Sequence, residues 1–261
     1  MIKIGGYKSS NGANLGITPF VSSPTLQNLA APNINADEYI IPTTVPVFDQ
    51  GQLSDCVANS TCMALQIINE KETGKVIELS RLFNYFNARN EDGTTGVDGG
   101  TFIHFAYNSL QLLGVSEESL WPYDPDNVNV QPNILSYKMG NSNKINSFYQ
   151  ITSSGQQRIN DIVLALQSNT PISFGTIVGS NLESYNGDPN TVIDIPSDSL
   201  GGHAILIRGY KNKSSGIQFL VRNSWGAGYG INGEFWMSAN YITWDQTQDL
   251  FVPTLVPNLL F

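Results

Sequence analysis

Four side chains of this sequence belong to the types that carry acyl transfer, and they lie far apart in the chain: Gln50, Cys56, His203 and Asn223. A thiol becomes a strong nucleophile when a base takes its proton, and that base works best when a third group fixes its tautomer. Cys56 follows the loop Gln50-Gly51-Gln52-Leu53-Ser54-Asp55 and opens a long helical pattern. A cysteine at a helix start faces unpaired backbone N–H groups and the positive end of the helix dipole, which both favour thiolate. The Gln50 side-chain NH₂ and the Cys56 backbone N–H are two donors suited to an oxyanion. Cys62 lies mid-helix on an apolar face and reads as a small buried hydrophobe.

His203 and Asn223 are expected to meet through a hairpin. Ala204–Tyr210 and Ile217–Arg222 are rich in β-formers and are separated by Lys211 to Gly216. If Tyr210 pairs with Ile217, His203 falls opposite Ser224 and Asn223 opposite Ala204. The asparagine carbonyl is then placed to accept an imidazole N–H.

These residues must be held by a globular scaffold. The 261 residues are 41 % hydrophobic, enough for one large core or two small ones. Charged residues make up only 13 %, with a net charge of −9, and there is no basic run, so nucleic acid is not expected as a partner. The longest apolar runs fall short of a membrane span, so no membrane partner is expected either. No apolar signal core follows Met1, and the expected location is cytoplasmic or reached by a non-classical export route. No cofactor is expected, and no ligand-spaced His/Cys cluster suggests a metal; His104 reads as a packed or surface helical residue. Cys56 and Cys62, six apart on one helix, would have Cα atoms roughly 9 Å apart, too far for a disulfide.

Periodicity and breakers divide the chain into a helix-rich half and a strand-rich half. Residues 1–45 read as an extended arm, since Pro19, Pro24, Pro32, Pro42 and Pro46 forbid a long helix there. A short strand is expected at Tyr39–Ile41. Helices are expected over Cys56–Thr73 (capped by Ser54 or Asp55 and stopped at Gly74), Ser80–Asn87, Thr101–Leu113 and Ile159–Leu166. Residues 125–147 read as a linker. Strands are expected at Ile172–Ile177, Ala204–Tyr210, Ile217–Val221 and Gly233–Met237. That order implies an α+β chain with two lobes.

Gln50…Cys56, Gly202-His203-Ala204 and Asn223-Ser224-Trp225-Gly226-Ala227-Gly228-Tyr229-Gly230 together resemble the papain-like cysteine peptidases, in the bacterial-type branch that lacks a disulfide beside the nucleophile. Leu120-Trp121-Pro122-Tyr123, Gly233-Glu234-Phe235-Trp236 and Asp98-Gly99-Gly100-Thr101 fit the same resemblance, which covers about residues 45–240. It implies a papain-like two-lobe fold: a helical lobe over 46–133 carrying Cys56, an antiparallel β-barrel-like lobe over 134–261 carrying His203 and Asn223, and an active-site cleft between them. It further implies Cys56 as nucleophile, His203 as general acid/base, Asn223 as its orienter and Gln50 as oxyanion donor. Gly99 and Gly100 would contact substrate backbone, and Trp225 would border the site and shield the His–Asn hydrogen bond. The implied activity is cysteine endopeptidase on peptide or protein substrates. A non-proteolytic thiol acyl transferase of transglutaminase or amidase type, and a weakly catalytic binding protein on the same scaffold, are the alternatives. The sequence departs from the family pattern at Asp55 and Val57 beside the thiol, at Leu53, and at Gly202. The arm is expected to lie along the outside of the β lobe and to reach toward the cleft.

Overall fold

The computed structural model describes residues 3–22, 33 and 36–255. Three helices come first. α1, Cys56–Thr73, is buried along most of its length and ends at Gly74, whose φ of +73° permits a left-handed cap bonding back to Glu70. α2, Arg81–Glu91, starts at Ser80, whose hydroxyl accepts from the Phe83 N–H; such a cap contributes about 1 kcal/mol. α3, Ile103–Leu112, follows the Gly99-Gly100 segment.

Asp55 stands at the N-cap position of α1 without capping it. Its carboxylate is turned away from the helix and accepts instead from the Tyr123 hydroxyl at 2.9 Å. The expected linker over 125–147 is structured. Asn133 caps a helix, α4, over Ile134–Gly140, accepting from the Ser136 N–H, and strand β2 begins at Ile145. Asn suits loops and helix caps alike, and here Asn133 is a cap. α4 packs on α2 through Phe83 and Tyr137.

The rest is one eight-stranded sheet: β1 Glu38–Ile40, β2 Ile145–Ile151, β3 Ile172–Val178, β4 Val192–Ile193, β5 Gly201–Lys213, β6 Gly216–Arg222, β7 Glu234–Ser238 and β8 Gln248–Leu255. Its order is β2-β8-β3-β5-β6-β7-β4, with β1 also on β5. All pairs are antiparallel except β4 with β7. Helices α5 (Gly155–Gln167), α6 (Ser180–Glu183) and α7 (Ala239–Thr243) complete the chain. α1 packs against β5, which brings the start of one helix beside the start of one strand. Among the described residues no helix is long and apolar enough to cross a membrane, and no group of three His, Cys, Asp or Glu could hold a metal ion.

The β5–β6 hairpin differs from the expected register. Tyr210 pairs with Phe219, not Ile217, because the strands continue to Lys213 and Gly216 around a tight turn at 214–215. A bulge between Ile207 and Gly209 shifts the pairing by one, so Leu206 faces Arg222 near the active end. Of the arm, Glu38–Ile40 pairs with the Gly209–Lys211 edge of β5, and Phe20–Ser22 forms a single 3-10 turn. Pro24 and Pro32 lie outside the described residues.

Candidate active site

α1, β5 and the turn after β6 bring Cys56, His203 and Asn223 together, each fully buried. His203 Nε2 lies 2.8 Å from Asn223 Oδ1. The asparagine oxygen can only accept, so Nε2 carries the proton and Nδ1 is left as the basic nitrogen; Nδ1 has no other hydrogen-bond partner. Trp225 stacks on the imidazole, centroids 4.9 Å apart and planes 23° apart, covering one ring face. The Asn223 oxygen also accepts from the Ser224 N–H at 2.8 Å, which fixes the orienting group itself.

Cys56 Sγ accepts from the Ala204 N–H at 3.5 Å, so the residue after the histidine touches the thiol. Burial pushes the Cys56 thiol up to about 12, with the neighbouring Asp55 charge adding to the rise and the Ala204 N–H opposing it. Burial likewise holds His203 down to about 4. In this conformation both are therefore neutral at ordinary pH. Asp55 is raised to about 7, chiefly by burial, against the lowering influence of Arg81 and Tyr123. A carboxyl held partly protonated opposes a thiolate less than a full charge would.

Gln50 is oriented from both ends of its amide. Its Oε1 accepts from Ser224 Oγ at 2.6 Å, which turns Nε2 toward the carbonyl oxygens of Leu53 (2.9 Å) and Lys3 (3.4 Å). On the other side of the thiol, Asp98 accepts from the Ser54 N–H at 3.0 and 3.1 Å and from Tyr85 Oη at 2.7 Å, and Tyr85 Oη accepts from Gly100 N–H at 3.0 Å. This network ties the loop before Cys56 to the Gly99-Gly100 loop, in a chain whose two described cysteines are both free thiols. His104 packs among Phe102 and Phe105.

Residues 5–8 lie across this constellation. The Gly5 N–H donates to the Gly202 carbonyl, Thr101 N–H to the Gly6 carbonyl, and Lys8 N–H to the Thr101 carbonyl, at 3.0, 3.1 and 3.0 Å. Tyr7 and Thr101 form a parallel bridge. Gly100 (φ +76°) makes room: a Cβ there would overlap the Gly6 carbonyl. The backbone that exchanges hydrogen bonds with the arm is that of Thr101, next to Gly99 and Gly100. Sequence reasoning missed Tyr7, Gly175 and Asp249, which meet beside the thiol. Only the fold joins three such distant positions, although Gly202 was visible as a departure from the family pattern.

Residues 37–251 match the family model described as papain family cysteine protease. The chain is 30 % identical over 210 residues to the peptidase C1-like protein L477 of Acanthamoeba polyphaga mimivirus, covering 77 % of this chain and 67 % of that protein. It is 26 % identical over 240 residues to cysteine proteinase 3 of Dictyostelium discoideum, covering 92 % and 66 %. The chain thus spans about two thirds of the length of these relatives. Among solved structures it superposes on xylellain, a cysteine protease from Xylella fastidiosa, with a TM-score of 0.79 and 26 % identity over 98 % of this chain and 97 % of that one.

Proposed function

The chain belongs to the papain family of cysteine proteases, and on that premise we propose that it hydrolyses internal peptide bonds with Cys56 as nucleophile, His203 as acid/base, Asn223 as orienter and Gln50 as oxyanion donor. The observation that carries this reading is the 2.8 Å contact between His203 Nε2 and Asn223 Oδ1, which leaves Nδ1 free as a base. The thiol gives its proton to Nδ1, and Sγ attacks the substrate carbonyl carbon. The resulting oxyanion is met by Gln50 Nε2 and the Cys56 N–H. The imidazolium then protonates the leaving amine, and a water, deprotonated by the same Nδ1, releases the acid and restores the thiol.

In the same proposal, the segment Lys3–Lys8 holds the enzyme in an occluded resting form. Lys3 supplies a carbonyl to the Gln50 donor, and Gly6 lies against the thiol, so a substrate cannot reach either until the segment leaves. Neutral Cys56 and neutral His203 fit such a resting form: water returning to the cleft would lower the first pKa and raise the second.

A peptide library incubated with the protein and with its Cys56→Ala variant tests the activity. Cleaved peptides that vanish in the variant support it. Crosslinked or deamidated products instead would assign the acyl-transferase reading, and a folded protein whose Cys56 takes no vinyl sulfone label after the segment is loosened would assign a binding role.

A further inference from the structure

The Tyr123 hydroxyl stands between two acceptors. Its oxygen lies 2.9 Å from Asp55 Oδ2 and 3.0 Å from the Gln50 carbonyl oxygen. A phenol carries one proton, so it donates to one of the two at a time. With Asp55 ionised, the hydroxyl turns to the carboxylate, and the Gln50 carbonyl keeps the Leu53 N–H at 3.1 Å. With Asp55 protonated, the acid donates to Tyr123 Oη and the hydroxyl donates to Gln50. Both short contacts are then hydrogen bonds at once.

The surroundings favour the second arrangement. Asp55 is fully buried, and its Oδ1 has no hydrogen-bond partner in any other residue. An ionised carboxylate there would have one shared hydroxyl for two oxygens, which is costly. None of the described ion pairs includes Asp55. Arg81 of α2 donates instead to the Asp49 carbonyl at 3.2 Å and to Asn59 Oδ1 at 3.1 Å, with its guanidinium over the Phe48 and Tyr123 rings. Arg89 of α2 donates to the Val97 and Val128 carbonyls. Asp98, from the loop before α3, and the Cys56 thiol are the acidic groups near Asp55, and Glu118 accepts from the Tyr123 N–H. Burial raises Asp55 to about 7, with Asp98 adding to the rise and Arg81 and Tyr123 opposing it.

We propose that Asp55 is a positioning residue that works as a neutral acid: its proton turns the Tyr123 hydroxyl onto the Gln50 carbonyl and so fixes the loop that carries the oxyanion donor. The proposal rests on the peptidase reading, in which Gln50 is that donor. Ser224 already holds the Gln50 N–H and side-chain oxygen, so Tyr123 completes the hold at the carbonyl. Ionisation of Asp55 frees that carbonyl and sets a charge beside the thiol, so the site is best organised below about pH 7. Asn at this position mimics the neutral acid at every pH, because its amide N–H donates as the acid proton does.

Carbon-13 NMR of the full chain reads these bonds without any catalysis. The Asp55 carboxyl carbon is expected to titrate near 7, and the Gln50 carbonyl carbon to shift with the same midpoint. In Asp55→Asn the Gln50 shift should no longer titrate. In Tyr123→Phe the acid should titrate without Gln50 following. An Asp55 carboxyl that titrates near its ordinary 3.8, or a Gln50 carbonyl that ignores it, would overturn the proposal. In parallel, peptide hydrolysis is measured in the full chain carrying Gly6→Val. The kcat of Asp55→Asn relative to that with Asp55 is expected to rise roughly two- to tenfold between about pH 5.5 and 8.5, the worth of one hydrogen bond, with KM little changed. Adding Tyr123→Phe should remove most of that rise. A flat ratio, or a rise undiminished by Tyr123→Phe, would overturn the positioning role. Should the two carbons titrate together while no peptide is cut, the Asp55–Tyr123–Gln50 chain of bonds stands and the peptidase reading falls.

Discussion

Gly6 lies so close to Cys56 that a Cβ at residue 6 would stand 3.0 Å from Sγ and overlap the Ser54 carbonyl oxygen. Only a residue without a side chain can sit there, and a chain that does sit there covers the thiol. The thiol and its cover are thus matched to each other at atomic contact.

Gly6→Val should therefore push the arm away. The Ser54 carbonyl is backbone and cannot rotate aside, so the strain is of the overpacking kind, about 1–3 kcal/mol. Expressed as opening, that is roughly five- to 150-fold faster alkylation of Cys56. The check is the labelling rate of Cys56, with buried Cys62 as the internal control for unfolding.

Closure should be strongest in a pH window. His203 is held at about 4 in the closed form, below its ordinary 6.5, so the open form binds more protons between those values. Closure is lost as pH falls from 6.5 toward 4, by up to about tenfold per unit. Cys56 is held at about 12, above its ordinary 9, so the open form binds fewer protons there, and closure is lost as pH rises from 9 toward 12. Proteolytic susceptibility of the first ten residues, measured against pH, should be least between about 6.5 and 9.

Gln50 should act on the transition state more than on binding. With the arm loosened by Gly6→Val, Gln50→Glu is expected to lower kcat by about 10²–10³ and to change KM little, because a carboxylate offers no donor to the oxyanion. Steady-state kinetics on a cleaved library peptide provide the check; a change confined to KM would remove Gln50 from the oxyanion site.

Glu234 secures the strands that present the site. It accepts from Arg208 Nε at 2.5 Å and from Arg222 Nε at 2.7 Å, while those two guanidiniums also donate to the Ile41 and Val45 carbonyls. Glu234→Ala would leave buried Arg222 and partly buried Arg208 without their anion, at a cost of about 3–5 kcal/mol. Urea denaturation should show the midpoint falling accordingly.

Much of this was legible in the sequence because local chemistry decided it. The first helix begins at Cys56 and ends at Thr73 as its apolar spacing and Gly74 require, and Ser80 caps the next. The meeting of His203 with Asn223 followed from a hairpin, although its register did not: a tight turn and a bulge are set by backbone geometry that residue types barely encode. Strand β8 and its positive-φ Asp249 carried no turn signal, since Asp249 stands between Gln248 and Leu250, neither of them a turn former. Tyr7 was illegible for a different reason. Its partners, Thr101, Gly175, Gly202 and Asp249, are scattered through the chain, and only the folded molecule gathers them.

The central claim is that Cys56 is the nucleophile of a peptidase kept closed by its segment Lys3–Lys8. Peptide hydrolysis by three full-length proteins, native, Gly6→Val, and Gly6→Val with Cys56→Ala, tests it most directly. The expected order is slow, fast and none. Cleavage by the protein lacking Cys56, or native hydrolysis as fast as that of Gly6→Val, would contradict it.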